Sequence, residues 1–330
     1  MINQVKISVI IVCYGLSKTV FDTIDSVLMQ TQDGIELIVS DDGSGRFSKT
    51  KVEDYIEENK RDNIIQYSVY EHKDNVGTVK NLNRAIKIAK GRFIKLIGGD
   101  DVYYDKNVFL EQIRFLEKND KFLLVTGMSA QCDQNMHKVV EERTEETNKA
   151  LSLIYSLQPK EAFVYYQKKG FSPFVTQAIC FRMAFFEKYG LFDEDFKLME
   201  DAPTGARLIL SGVPVGVQEL YTVKHRMNVG ISANDDLFSD KKIRYYEDRI
   251  MYCRKYSVPN KKILGRNRVI MDMGISKFRL EMALAKKEKK NKLCKMLIGL
   301  KYIYPIFLYV ILRPGKTKGM IKKLLPTRSK

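Results

Sequence analysis

Three apolar runs in the first hundred residues each end in a residue able to do chemistry. Tyr14 follows ISVIIVC, Asp41–Asp42 follow IELIVS, and Asp100–Asp101 follow FIKLIGG. Adjacent carboxylates repel each other, and the repulsion is relieved when a divalent cation such as Mg2+ or Mn2+ sits beside them. Gly98 and Gly99 ahead of the second pair leave room for a bulky ligand to approach the backbone. Neither GxGxxG nor GxxxxGKS/T follows the first apolar run, so no glycine-rich loop cradles phosphate there. The alternative for a diphosphate is a carboxylate-bound cation shared with the phosphate oxygens. The same residue types also have plainer uses. Asp41–Asp42 before Gly43–Ser44 suit a turn, Asp100–Asp101 suit a helix cap near Asp105, and Glu200–Asp201 suit the positive end of a helix.

To act together these residues need a scaffold that brings separate strand ends to one place. KISVIIVCY, IELIVSDD, NIIQYSVYEH and RFIKLIGGDD read as buried strands. Between them, KTVFDTIDSVLMQ sets Val20, Ile24, Val27 and Leu28 on one helical face, KTKVEDYIEENK reads as a polar-faced helix, and TVKNLNRAIKIAKG reads as a helix closed by Gly91. This alternation predicts an α/β fold with a doubly wound, mostly parallel sheet, in which ligands bind beyond the carboxyl ends of the strands. DKNVFLEQIRFLEKND continues as a helix and KFLLVTGMSA as a strand; residues 131–149 read as a solvated excursion, and from about Asp240 the chain reads as helical and basic.

The 330 residues are 45% hydrophobic with 18 Tyr and 17 Phe, enough for one large domain with a helical appendage. The net charge of +16 is uneven: residues 282–330 hold twelve Lys and two Arg against one Glu, which leaves only +3 for the first 281. The basic character therefore belongs to the appendage and calls for an anionic partner there. Five cysteines, none in CxxC spacing, argue for buried thiols in a reducing compartment and against a zinc site. The opening residues go directly into strand character with no basic region and apolar leader, which argues against export.

Five segments, ISVIIVCYG, TIDSVLMQT, ELIVSDDGS, DNVGTVKNLNRAIKIAKGRFIKLIGGDD and EDAPTGARLILSG, resemble in order and spacing the inverting family 2 glycosyltransferases of the GT-A fold, bacterial surface-polysaccharide type. The resemblance covers residues 5–235. It implies that Tyr14 lies by the nucleotide base and that Asp42 accepts a hydrogen bond from it, as for uracil. It puts Lys80 on the diphosphate, Asp100 on the ribose or metal, Asp101 and His225 at the metal (Mn2+ or Mg2+), and Asp201 as the general base on the acceptor hydroxyl. Val12, Cys13 and Gly15 replace the family's usual Pro and Asn around the first tyrosine, and Gly99 stands where the fuller DxD pattern has its first aspartate. The implied boundaries are a transferase domain over residues 1–238, with a donor half to about 127 and an acceptor half from 128, then a helical basic region over 239–330.

An inverting transferase performs one in-line displacement and needs one base and a stabilised leaving diphosphate; a double-displacement glycosidase needs two carboxylates about 5–5.5 Å apart. The resemblance implies a nucleotide-sugar donor, most simply a UDP-sugar, and a glycan or lipid-linked acceptor at the inner face of the cell membrane. A sugar-1-phosphate nucleotidylyltransferase would need a glycine-rich basic loop after the first strand, which CYGLSK lacks. A basic nucleic-acid module would spread positive charge over the whole chain, so no nucleic-acid partner is expected. The apolar run Tyr302–Leu312 has eleven residues including Pro305, too few for a bilayer span of ~20, and the segment 293–325 around it reads as lying on an anionic membrane surface or as a buried terminal helix.

Overall fold

Apolar, β-branched runs with no polar face suit central strands covered on both sides. The protein is described from a computed structural model over residues 4–169, 174–227 and 237–313. Its first part alternates as the sequence predicts: β1 (Ile7–Cys13), α1 (Lys18–Leu28), β2 (Ile35–Asp41), α2 (Lys49–Asn59), β3 (Ile64–Glu71), α3 (Thr78–Ile88) and β4 (Phe93–Gly98). All seven residues of β2 are buried, and so are Val20, Ile24, Val27 and Leu28 of α1. β1 pairs in parallel with β2 and β4, with Cys13 level with Asp41 and Val12 level with Gly98. Three strands thus end at one height, and the residues after them emerge along one edge of the sheet.

The chain continues through β5 (Val102–Tyr103), α4 (Val108–Lys118), β6 (Leu124–Cys132), α5 (Glu141–Ser156), α6 (Pro159–Lys169), β7 (Ile179–Arg182), α7 (Met183–Tyr189), α8 (Asp201–Leu210) and β8 (Gly216–Arg226). The eight strands form one sheet in the order β3-β2-β1-β4-β7-β6-β8-β5. It is parallel from β3 to β4 and mixed beyond: β7 is antiparallel to β4 and β6, β8 is parallel to β6, and β5 is antiparallel to β8.

Residues 131–149 depart from the solvated reading. β6 runs into this stretch and α5 begins within it, with Thr144 and Thr147 buried. The amide of Gln131 donates to Thr144 Oγ1 at 2.9 Å, and that of Ser129 to Asn148 Oδ1 at 3.1 Å. Polar side chains here satisfy strand amides, so they are buried without cost in lost hydrogen bonds.

The strand carrying the second aspartate pair is held from inside by a charged residue. Lys95, in the middle of β4, has no exposed surface; its Nζ donates to Gln112 Oε1 of α4 at 2.9 Å and to the Gln177 carbonyl at 3.1 Å, and it lies 5.0 Å from the Tyr103 ring centroid. Burial lowers its pKa to about 7, with neighbouring Cys180 acting the other way. A lysine that prefers to be neutral when folded makes the unfolded chain bind the extra proton, so stability rises with pH between about 7 and the ordinary 10.5. Lys95→Met is expected to flatten that rise; urea unfolding at several pH values checks it, and an unchanged slope would refute it.

The chain divides into two units, Met1–Ala233 and Asn234–Lys330. The second is helical: α9 (Asp240–Tyr252), a π-turn (Cys253–Ser257), α10 (Lys261–Leu264), α11 (Arg266–Lys287), α12 (Lys292–Lys301) and α13 (Ile303–Leu312). Ile243 and Tyr246 of α9 pack with Ala283 of α11, and Met271 and Ile275 of α11 pack with Leu308 and Tyr309 of α13. Pro305 falls in the first turn of α13, where its missing N–H breaks no helical hydrogen bond. All five cysteines are free thiols, three of them buried. Residues 314–325 of the surface segment expected from the sequence lie outside the described residues.

Candidate active site

The antiparallel pairing of β5 with β8 builds the centre of the site. Val102 is paired with Lys224 and Tyr103 with Val223, so the residue just before β5 is carried to the end of β8. There Asp101, 1% exposed, accepts from the Arg226 amide at 2.9 Å through Oδ1 and meets His225 Nδ1 at 2.9 Å through Oδ2. Arg226 closes the loop from the other side. Its Nε donates to the Asp100 carbonyl at 2.9 Å, its Nη1 to the Gln134 carbonyl, and its Nη2 to Asp22 at 3.3 Å. Thr23 of α1 donates to the Asp101 carbonyl at 2.7 Å, and Thr19 to that of Gly99 at 2.7 Å.

The electrostatics follow from that geometry. Burial opposes a charge on His225, but Asp101, Asp100 and Asp201 together overcome it and raise its pKa to about 9. His225 and Arg226 thus supply positive charge that answers the carboxylate pair. Asp201 opens α8 and contributes to the same field, which links Glu200–Asp201 to Asp100–Asp101.

Asp41 and Asp42 do different work. Asp41 is fully buried and accepts from the amides of Gly15 at 2.7 Å and Ser44 at 2.9 Å, fixing the turn that carries Tyr14. Asp42 accepts from the amides of Val76 at 3.0 Å and Gly77 at 2.8 Å. Burial raises the Asp42 pKa, against the pull of those amides and of Arg84. Gly77 has φ +94°, and a Cβ there would sit 2.5 Å from the Lys197 carbonyl; that carbonyl also accepts from the Val79 amide at 3.1 Å. Asp42 therefore holds the turn that bears on the chain leading into Glu200–Asp201. From the same helix α3, Asn83 exchanges two hydrogen bonds with the backbone of Phe192, at 2.9 and 3.0 Å. Tyr166 of α6 donates to the Ala202 carbonyl at 3.1 Å, steadying the start of α8.

Of the residues singled out from sequence, Asp100, Asp101, Asp201 and His225 share one electrostatic neighbourhood. Tyr14 is 56% exposed, with the Arg46 guanidinium 5.9 Å from its ring centroid, so it is not core. Lys80 is exposed in the first turn of α3, whose buried residues include Val79, Asn81 and Leu82. Neither Gly98 nor Gly99 has space for a side chain: a Cβ at Gly98 would meet Asp100 Oδ1 at 2.7 Å, and one at Gly99 would meet Val20 at 2.9 Å. Arg226 went unrecognised in the sequence, because a single arginine beside a histidine carries no spacing signal.

Asp101 and His225 are bonded directly to each other, and among the described residues no group of three or more His, Cys, Asp or Glu is arranged to hold an ion. A cation held by Asp101 and His225 would draw its remaining ligands from diphosphate and water, which suits Mg2+ or Mn2+.

The family model described as glycosyl transferase family 2 matches residues 8–189, more than half of the chain. The chain belongs to that family. EpsJ of Bacillus subtilis, an uncharacterized glycosyltransferase, is 28% identical over 198 residues, which cover 60% of this chain and 54% of EpsJ. The Escherichia coli UDP-Glc:alpha-D-GlcNAc-diphosphoundecaprenol beta-1,3-glucosyltransferase WfaP is 35% identical over 118 residues, 35% of this chain and 43% of WfaP. The match to an uncharacterized glycosyltransferase of Rickettsia bellii spans only 16% of that protein. The chain thus covers little more than half, or less, of these curated relatives. The mannosyltransferase PcManGT of Pyrobaculum calidifontis, solved with GDP-Man and Mn2+, aligns over 96% of this chain and 87% of its own with a TM-score of 0.52 at 15% identity. At that identity the likeness is one of fold, and the fold is GT-A.

In this family 2 frame, Arg226 is the residue that fixes the Asp100–Asp101 loop. Arg226→Met is expected to lower unfolding stability by roughly 1–3 kcal/mol, because the three hydrogen bonds of a nearly buried guanidinium are lost. Arg226→Lys should recover only part of it, since one ammonium cannot fork between three acceptors. Denaturant titration measures both; wild-type stability in the Met variant would refute the clamp.

Proposed function

We propose that the protein is an inverting glycosyltransferase that moves a sugar from a nucleotide diphosphate donor, a UDP-sugar, to a glycan or lipid-linked acceptor. The observation that carries this reading is the contact between Asp101 and His225 at the carboxyl edge of the sheet, within the electrostatic reach of Asp100 and Asp201. Tyr14 lines the base end, supported by its exposure, and Asp42 and Lys80 stand on the nucleotide side. Asp101 and His225, the latter with its proton displaced, would hold a Mg2+ or Mn2+ ion, with Asp100 beside the ribose, and the ion would supply Lewis-acid stabilisation of the leaving diphosphate. Asp201 takes the proton of the acceptor hydroxyl as the sugar is displaced. A single carboxylate in that role suits one in-line displacement with inversion. The UDP-glucose and diphosphoundecaprenol in the name of WfaP support a UDP-sugar and a lipid-linked acceptor for this chain.

Supplied with UDP-sugars and an undecaprenyl diphosphate-linked sugar, the protein should release UDP and form a product of inverted anomeric configuration. A product of retained configuration would overturn the reading. Asp201→Asn should cut transfer roughly 10²–10⁴-fold, the usual worth of a general base, with UDP affinity within about twofold of wild type. Transfer that survives this substitution would place the base elsewhere.

A further inference from the structure

α12 turns an apolar stripe toward solvent. Leu293, Met296, Leu297 and Leu300, at i, i+3, i+4 and i+7, lie on one face, and each is 55–58% exposed. α13 continues it. This helix has no charged residue, and Ile303, Phe307 and Ile311 are each more than half exposed along one side. Side chains this large do not lie outward in a contiguous row unless something covers them.

The other face of α13 is already occupied. Leu308 and Tyr309 pack on Met271 and Ile275 of α11, and Pro305 fills the space over Gly274, where a Cβ would lie 2.4 Å from it. Polar contacts fasten both ends. Glu281 of α11 takes Lys301 at 2.7 Å and the Tyr302 hydroxyl at 2.6 Å at the joint between α12 and α13, and Arg313 reaches Asp272 at 3.2 Å. The two short helices bend by 62°, and among the described residues no single helix is long and apolar enough to cross a membrane. Each is ~15 Å long against a hydrocarbon core of ~30 Å. A helix bound along one face to α11, with its Asp272, Lys277, Arg279 and Glu281, cannot give up that face to lipid.

We propose that α12 and α13 form an in-plane foot that docks on an anionic lipid bilayer, with the outward stripe in the acyl boundary. The argument for lipid over a protein surface is charge. Lys286, Lys287, Lys289, Lys290, Lys292 and Lys295 lie in the ten residues that lead into and open α12, with only Glu288 among them; Lys287 also pairs with Asp240 and Lys290 with Glu288, but the net charge of this stretch stays strongly positive and draws anionic headgroups to the start of the apolar strip. No residue of the donor site enters this inference, so it stands or falls apart from the proposed reaction.

The full chain should float with vesicles of phosphatidylglycerol and phosphatidylcholine in a density gradient. Leu293→Ser/Leu297→Ser/Phe307→Ser, all at exposed positions, should weaken that partition by about tenfold or more, with the circular dichroism of wild type. Lys292→Gln/Lys295→Gln, which removes charge without touching the stripe, should cost roughly fivefold per lysine, and less as salt is raised. Three results would overturn the foot. One is undiminished flotation by the serine variant. Another is a wild-type dimer that the serines make monomeric without vesicle binding, which would make the stripe a contact between two copies. The third is resistance to alkaline carbonate extraction, which would indicate a span.

Discussion

One buried carboxylate ties the site to the fold. Asp101 is placed by the short antiparallel pairing of β5 with β8 and fixed by the Arg226 amide and the His225 imidazole. A carboxylate with almost no exposed surface persists only where such partners satisfy it. That bond joins two distant parts of the chain: the loop after β4, where the parallel half of the sheet ends, and the last turn of β8. Removing it would leave a buried charge and would loosen the β5–β8 pairing next to the second acidic pair.

A second tie runs through Asp42. Its hold on the Val76–Gly77 turn lets Gly77 press against the Lys197 carbonyl, and Lys197 leads directly to Glu200–Asp201. The Asp42 turn and the segment leading to Glu200–Asp201 are therefore connected by backbone contact. The GT-A sheet supplies the edge, while these two carboxylates set the spacing between groups brought to it.

Much of this was legible in the sequence. Val20, Ile24, Val27 and Leu28 announced α1, and the apolar runs before Tyr14, Asp41 and Asp100 announced parallel strands ending at one level. The mixed part was harder, because β5 has two residues and β7 four, too short for periodicity to register. Residues 131–149 misled because Thr144 and Asn148 are polar yet serve strand amides. Gly98 and Gly99 were legible as special, and the Asp100 carboxylate and Val20 beside them leave no space for a side chain. Arg226 and Lys95 gave no signal, since one charged residue among many shows its role only through what surrounds it.

The proposed transfer requires a carboxylate-bound cation joining protein and diphosphate at the Asp100–Asp101 edge. Calorimetric titration of UDP into the full chain, once with Mn2+ and once with a chelator, tests that most directly. Binding tighter by roughly tenfold or more with the ion is expected, since the ion would link phosphate to carboxylate. Equal affinity in the chelator, or a folded protein that does not bind UDP in either condition, would contradict it.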